Sequence, residues 1–481
     1  MHFAVILRIT GILLSLFSLA LFLPVIVALI YGEDTIHTFG AAFAITMLSG
    51  LVLFLGSRDK RELRSGDGFF ITVLFYSGLG LFGAIPLYLA DGVHASFTDA
   101  AFESLSGLTT TGATVLSGLD ELPRSILFYR QLLQWLGGMG IIVLAVAVLP
   151  MLGIGGMQLY RAESPGPVKD NKLTPRITET AKALWYLYLG FTILCAGAYW
   201  AAGMSLFDAI CHSFSTVAIG GFSTHDASIG HFQSPAIETV AIVFMVLAGI
   251  NFALHFLAWN RREPKLYWAD REVRLYLTIL AVVAVVVCFI LIEHPGASDS
   301  PIRDGIFQAV SVATTTGFTT SDFSLWPSAA PVLLLFAAFA GGCAGSTAGG
   351  IKVVRVLLIY LQGMREIRRL IHPNGVFTIK LGLQRVPDRV VDAVWGFFSV
   401  YVIVFLTMVS LIMVIAPLDF TTAFSAVAAC LNNLGPGLGD VALNYASLPA
   451  QAKWLLIVAM MLGRLEIFTL LVLLTPAFWR R

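Results

Sequence analysis

The segment Phe97–Gly112, FTDAAFESLSGLTTTG, returns three more times without a gap. The other copies are LFDAICHSFSTVAIGG at Leu206–Gly221, IRDGIFQAVSVATTTG at Ile302–Gly317 and FTTAFSAVAACLNNLG at Phe420–Gly435. In each, a stretch able to form a helix runs into a short polar turn that ends on glycine. Asp99, Asp208 and Asp304 share one column, where the fourth copy has Thr422; Ser106, Ser215 and Ser311 share another, where it has Ala429. The closing glycines are 109, 96 and 118 residues apart, and repetition at such a period marks internal symmetry. A polar loop held four times between apolar helices is what a cation pore folded from one chain requires.

The surrounding sequence puts these loops in a bilayer. The chain is 57% hydrophobic and 12% charged, whereas water-soluble domains carry roughly a quarter charged residues. Ten apolar runs approach or exceed the length, about 20 residues, needed to cross the hydrocarbon. They are Ile9–Ile30, Phe39–Gly56, Phe69–Ala90, Ile126–Leu152, Leu184–Ala202, Ala236–Trp259, Leu275–Ile292, Pro331–Tyr360, Val391–Ile415 and Lys453–Pro476. The first lacks a small-residue cleavage site and reads as a retained helix rather than a signal peptide. A net charge of +1 gives no electrostatic reason to expect a nucleic-acid partner. The five cysteines are scattered through apolar sequence without metal-ligand spacing, so they read as small hydrophobes.

Clustered Lys and Arg mark the cytoplasmic side, and here they alternate with the repeats. Arg58, Lys60, Arg61 and Arg64 form one cluster, and Arg161, Lys169, Lys172, Arg176 and Lys182 the next. Arg261, Arg262, Lys265, Arg271 and Arg274 follow, then eight residues between Lys352 and Arg389. With Arg8, Arg480 and Arg481 these account for 25 of the 30 basic residues. Arg124, Arg130, Arg303 and Lys453 fall on the opposite side, and Arg464 lies inside a span. Both termini are then cytoplasmic and all four repeated loops external. The expected fold is an all-α membrane protein: two leading helices over 1–67, then four helix–pore loop–helix units over 68–182, 183–272, 273–390 and 391–481, arranged pseudo-fourfold around one pore.

The turns are Thr109-Thr110-Thr111-Gly112, Ala218-Ile219-Gly220-Gly221, Thr314-Thr315-Thr316-Gly317 and Asn432-Asn433-Leu434-Gly435. A dehydrated monovalent cation needs neutral oxygens, and the backbone carbonyls of a narrow loop supply them. Glycine permits positive φ, which lets consecutive carbonyls face the axis. No turn contains a carboxylate, which disfavours a divalent-cation pore built on acidic rings. The aspartate column, with Thr422, sits where helix N-caps belong, and a helix starting there would aim its negative end at the turn. The expected ion-binding residues are Thr110, Thr111, Gly112, Ile219, Gly220, Gly221, Thr315, Thr316, Gly317, Asn433, Leu434 and Gly435.

Pro331–Tyr360 is about half again as long as a bilayer requires. Its middle, Gly341-Gly-Cys-Ala-Gly-Ser-Thr-Ala-Gly-Gly350, is poor helix sequence, each glycine costing about 1 kcal/mol against alanine. A break inside the membrane must be buried or face water, so Gly341, Gly342, Gly345, Ser346, Thr347, Gly349 and Gly350 are expected to form a loop under the filter that obstructs the pore. Close packing of an intact helix through small residues is the plainer alternative. Arg464 costs at least about 2.5 kcal/mol to insert, so a partner or cavity is expected for it. Glu466, two residues on, lies on a different helix face and is expected to pair elsewhere.

The motifs FESLSGLTTTG (Phe102–Gly112), IGGFST (Ile219–Thr224) and NNLGPGLG (Asn432–Gly439), and the chain as a whole, resemble the TrkH/KtrB/HKT superfamily, within it the membrane subunits of bacterial Trk potassium-uptake systems. The resemblance implies that Gly112, Gly221, Gly317 and Gly435 face the ion. Sodium-preferring plant relatives often have serine at the first of these, so Gly112 implies potassium. It further implies an intramembrane gate loop at the glycine-rich segment, a pore-facing Arg464, and a homodimer with one pore per protomer. A cytoplasmic nucleotide-binding regulator of the TrkA type and a bacterial inner membrane are implied as well. The fourth turn departs from the threonine pattern, as is familiar in the Trk subunits.

Other signals carry less. Gly78-Leu-Gly80-Leu-Phe-Gly83 matches a dinucleotide fingerprint but lies in an apolar span without a βαβ unit. No Walker sequence occurs and no histidines pair at i, i+4, so no catalytic residue and no organic cofactor are expected. His225-Asp226 reads as a solvated external loop, and Arg365–Arg369 as a topology determinant. A carrier coupling K⁺ to H⁺ or Na⁺ is the alternative; it calls for embedded carboxylates, and Glu466 is the one acidic residue deep within a run.

Overall fold

The computed structural model describes residues 3–56, 65–140, 177–327, 329–381 and 384–480. Arg58, Lys60, Arg61, Arg64, Arg161, Lys169, Lys172, Arg176 and Arg481, and the fourth apolar run beyond Gly140, lie outside them. The chain begins with α1 (Phe3–Ala20) and α2 (Phe22–Tyr31), which together form one apolar span, and α3 (Ile36–Gly56), which returns against α1. The crossing is tight because glycine faces glycine: a Cβ on Gly11 would lie 2.6 Å from the Gly50 oxygen, the close approach that small residues allow between membrane helices.

Four units follow. In the first, α4 (Ser65–Leu89) leads to the short helix α5 (Phe97–Leu108) and then α6 (Arg124–Trp135), which passes into a π-helical turn at Leu136–Gly140. The second contains α7 (Ile177–Ala201), the short helix α8 (Leu206–Val217), and α9 (Pro235–Ala248) with α10 (Phe252–Arg261). A small helix, α11 (Lys265–Ala269), leads to the third unit: α12 (Arg271–Glu293), the short helix α13 (Pro301–Ala313), α14 (Ala329–Ala340) and α15 (Val353–Ile371). After a small hairpin of Lys380–Leu381 with Gln384–Arg385 comes the fourth: α16 (Asp388–Ile415), the short helix α17 (Phe420–Leu431), α18 (Ala450–Arg464) and α19 (Phe468–Leu474), closed by α20 (Pro476–Trp479).

The units are joined in a ring. Each short helix packs on the first helix of its own unit and also on the helix that follows the short helix of the preceding one: α8 on α6, α13 on α9, α17 on α14, and α5 on α18. The last contact takes the fourth unit back to the first. The four basic residues that break the charge pattern sit on these seams. Arg124 lies over the Phe207 ring at 5.7 Å, Arg303 pairs with Glu238, Lys453 pairs with Asp99 at 2.6 Å, and Arg130 reaches from α6 to the Ser223 oxygen at 3.0 Å.

Two runs read from hydropathy as straight spans are not straight. Ala236–Trp259 bends by 92° between α9 and α10, and Lys453–Pro476 by 116° between α18 and α19. At the first, Asn251 starts a new helix by accepting from the Ala253 amide at 2.8 Å. At the second, Glu466 and Ile467 take positive φ (53° and 46°), and the Ile467 amide donates back to the Leu462 oxygen at 2.7 Å, a Schellman-type stop. Among the described residues, six helices are long and apolar enough to cross a membrane, or eight if each bent pair counts as one span. The Pro331–Tyr360 run is interrupted between α14 and α15, as its glycines predict.

Candidate functional site

The four polar turns meet inside the ring, each at the C-terminal end of its short helix. Their backbones repeat one pattern whatever the side chains. The amides of Thr111, Gly220, Thr316 and Leu434 donate to the carbonyls of Ser106, Ser215, Ser311 and Ala429, each at 2.8 Å. Thr110, Ile219, Thr315 and Asn433 all take left-handed φ between 53° and 66°. The closing glycines follow with φ of 79°, 77°, 84° and 98°. Left-handed backbone costs roughly 1–2 kcal/mol for a side-chain-bearing residue, and a β-branched one such as Ile219 adopts it only under constraint.

The constraint is the neighbouring turn. A Cβ on Gly112 would stand 2.1 Å from the Gly220 oxygen, one on Gly221 2.0 Å from Thr316 O, and one on Gly317 2.1 Å from Leu434 O. On Gly435 it would stand 2.8 Å from Thr111 O. Each glycine therefore fits against the carbonyl that precedes the next glycine, and the series closes on itself. Glycine is needed at all four twice over, for its φ and for the contact. The negative ends of four helix dipoles converge on this ring.

Buried polar side chains hold the turns from behind. On α6, Gln134 spans the second turn, donating to Gly220 O at 2.5 Å and accepting from the Phe222 amide at 3.1 Å, while Gln131 donates to Phe222 O. Arg130 pairs with Glu103 at 2.7 Å with neither exposed. Glu103 also accepts from the Val115 amide at 2.9 Å and from Thr114. In the repeat register Glu103 aligns with His212 and Gln308, which hold the exits of their own turns through Ser223 Oγ at 2.9 Å and Ser321 O at 3.0 Å. Tyr445 donates to the Gly435 carbonyl at 2.8 Å. Of these residues only Arg130 stands out in the sequence, and that for its side of the membrane; the signal for the others is a polar column in otherwise apolar helices.

The aspartate column does not supply the N-caps expected of it. Ser96 and Ser205 cap α5 and α8 by accepting from the amides of Asp99 and Asp208, and the same serine hydroxyls donate to the two carboxylates, so the aspartates orient the caps rather than being them. Asp419 rather than Thr422 caps α17, and Asp304 lies within the first turn of α13 after Ser300.

Beneath the ring, 341–352 runs as an irregular loop against the second, third and fourth units. The Cys343 amide donates to Gly249 O at 2.9 Å, the Phe252 amide to Gly345 O at 3.0 Å, and the Gly350 amide to Asn432 O at 3.0 Å. The Gly349 amide donates to Thr315 Oγ1 at 2.7 Å and Thr347 Oγ1 to Val217 O at 2.9 Å. Glu272 fastens both ends, accepting from the amides of Ala344 at 2.7 Å and Val354 at 3.1 Å. Ser346 turns its hydroxyl back to Cys343 O at 2.6 Å, and Gly341, Gly345 and Gly350 take positive φ. Gly342 passes against Gly249 O, where a Cβ would lie 3.0 Å away.

Arg464, at the end of α18, joins loop and ring. It donates to Thr110 Oγ1 at 3.1 Å, to Thr347 O at 3.3 Å, and to the carbonyls of Gly137 and Gly138 at 2.5 and 2.6 Å. The partner expected for this cation is therefore a set of backbone carbonyls and one hydroxyl. Glu466 pairs with Arg355. Above the ring, His225 lies between Asp120 and Asp208. Burial works against its charge, but hydrogen bonds and attraction from Asp208 and Asp120 outweigh it and raise the imidazole above its usual value.

With this geometry in view, the likenesses to known proteins are direct. The model of the TrkH family, described as cation transport protein, matches residues 35–481. The chain is 57% identical to the Trk system potassium uptake protein TrkH of Vibrio parahaemolyticus, over the whole of both chains. It is 42% identical to TrkG of Escherichia coli over 100% of this chain and 99% of that one. The crystal structure of the potassium transporter TrkH from Vibrio parahaemolyticus superposes with a TM-score of 0.90 at 54% identity, covering 100% of both chains.

Proposed function

The chain belongs to the TrkH family of cation transport proteins, and from that premise we infer that it is a Trk-type potassium uptake protein whose ion path runs through the ring of four turns. Carbonyls of Thr110, Thr111, Gly112, Ile219, Gly220, Gly221, Thr315, Thr316, Gly317, Asn433, Leu434 and Gly435 replace water around a K⁺ ion, the transported substrate. Neutral backbone oxygens suit a monovalent ion that must leave as easily as it enters. The single observation that supports this reading is the closed series of glycine–carbonyl contacts, in which each turn abuts the next.

The loop with Gly341, Gly342, Gly345, Ser346, Thr347, Gly349 and Gly350 is the gate in this reading, and Arg464 its electrostatic latch. A unit positive charge about 5 Å from the path opposes a cation by roughly 3 kcal/mol at an effective dielectric of 20. Opening requires the loop to leave Val217, Thr315 and Asn432 and the arginine to swing from Thr110. The units 68–182, 183–272, 273–390 and 391–481 are the four quarters of this pore, after leading helices in 1–67. The protein sits in the bacterial inner membrane with both termini cytoplasmic. It works as one component of a multi-part system, as a homodimer with a cytoplasmic nucleotide-binding regulator of the TrkA type that moves the gate.

Ion flux through purified protein in liposomes tests this, with K⁺, Rb⁺, Na⁺ and Li⁺ supplied separately and the proton gradient collapsed. Passive K⁺ and Rb⁺ flux above Na⁺ is the expected result. Flux seen only with an imposed proton or sodium gradient would mean a coupled carrier. Against that alternative stands Glu466, the carboxylate such coupling would use, which is engaged by Arg355.

A further inference from the structure

The mouth above the ring carries a cluster that the potassium path does not use. Asp120 comes from the segment after the first turn, and His225 and His231 from the segment after the second. Their ligand atoms, a carboxylate oxygen and two imidazole nitrogens, all lie within 4.8 Å of one another. The imidazoles of His225 and His231 stack face to face, with centroids 3.5 Å apart and planes 3° from parallel. Asp120 engages His225 Nδ1. Among the described residues no hydrogen bond holds the His231 ring, which is exposed. Asp208 stands 3.6 Å from His225 Nε2, and the Asp226 amide donates to Asp120 Oδ2 at 3.4 Å.

The two imidazoles and the carboxylate come from different segments yet bring three ligand atoms to one place, as a single divalent ion requires. Zinc takes imidazole nitrogen at about 2.0–2.1 Å and carboxylate oxygen at about 2.0–2.2 Å, so ligands within 4.8 Å of one another close on such an ion once the two rings turn out of their parallel stack. Two imidazoles and one carboxylate suit zinc, copper or nickel rather than potassium, magnesium or calcium, which take all-oxygen sites. The potassium that passes this mouth is therefore not a competitor.

We propose that Asp120, His225 and His231 form a binding site for a transition-metal dication of the zinc type, clamping the segments that follow the first and second turns. The clamp bridges the seam already made by the Leu119 amide donating to Asp226 at 2.9 Å. Its ion sits above the ring, where a fixed positive charge repels incoming cations. Zinc thus slows potassium entry. Metal binding stands apart from the pore reading; the effect on flux rests on it.

The test uses the full-length protein in lipid nanodiscs, titrated with zinc chloride by calorimetry, with His231→Ala as the main variant because that ring has no structural bond to lose. One zinc per chain is expected in the wild type, with affinity at least about tenfold lower in His231→Ala, a difference of about 1.4 kcal/mol. Cobalt provides a second readout: the visible bands of a nitrogen-ligated Co²⁺ should appear with wild type and fade in His231→Ala and in Asp120→Asn. Absence of zinc binding, or equal binding by both proteins, overturns the site. Zinc that binds as expected but leaves Rb⁺ flux in liposomes unchanged keeps the site and overturns the effect on entry.

Discussion

The ring of turns and the segments directly below it obey opposite rules. Above, four sequences as different as TTTG, AIGG and NNLG take one backbone, with the same left-handed residue and the same 2.8 Å hydrogen bond in each. Below, the four continuations share nothing: a π-helical turn at Leu136–Gly140, a 92° bend, the irregular loop at 341–352 and a 116° bend. The ligand of a carbonyl ring is main chain, so side chains may vary provided that glycine closes each turn. In the proposed pore one segment obstructs the axis while the other three bend aside, so that symmetry belongs to coordination and asymmetry to gating.

That contrast can be broken most directly at a ring glycine. Gly317→Ala adds a Cβ 2.1 Å from Leu434 O at a φ of 84°, and the backbone strain alone costs about 1–3 kcal/mol. Rb⁺ flux in liposomes should fall at least about a hundredfold, a drop worth about 2.7 kcal/mol; conduction at the wild-type rate would mean that the turns do not interlock.

The supports come next. Glu103→Gln leaves Arg130 buried without its carboxylate, a loss of about 3–5 kcal/mol. The aligned Gln308→Ala removes one neutral hydrogen bond, worth about 1 kcal/mol. Melting temperatures of the two purified variants should differ accordingly, and equal losses would show that the supports share one role despite unlike chemistry.

Below the ring, the effects should have the opposite sign. Arg464→Ala removes the charge under Thr110 and should raise passive flux about tenfold, within the roughly 3 kcal/mol available to it. Unchanged flux with normal protein in the membrane would detach Arg464 from the barrier. Thr347→Val keeps the shape but deletes the bond to Val217 O, worth about 1 kcal/mol, so flux should rise about fivefold. A fall in flux from either variant would reassign the loop from gate to support.

The sequence made the ring legible because two demands coincide at each closing glycine, a φ that glycine alone tolerates and a register repeated at about a hundred residues. The break at 341–352 was legible for a related reason, since its glycines make a helix costly. The bends at Gly249–Asn251 and Leu465–Ile467 were not, because hydropathy continues through them and Ile467 has no local preference for left-handed backbone. Ile219 carries the same lesson inside the ring: it is buried against Ala248 and Ala348, neighbours absent from any local window. The Glu103, His212 and Gln308 column was visible in the alignment. Three unlike polar residues do not announce a shared task until the loops they hold are seen.

The return of the fourth unit to the first has a meaning for biosynthesis. The contacts that close the ring join residues far apart in the chain: Lys453 to Asp99 across 354 positions, Asn433 to Thr111 across 322. A ribosome delivers the two partners at opposite ends of translation. Until the last quarter is inserted the ring has an open side, so no half-made chain holds a finished ring.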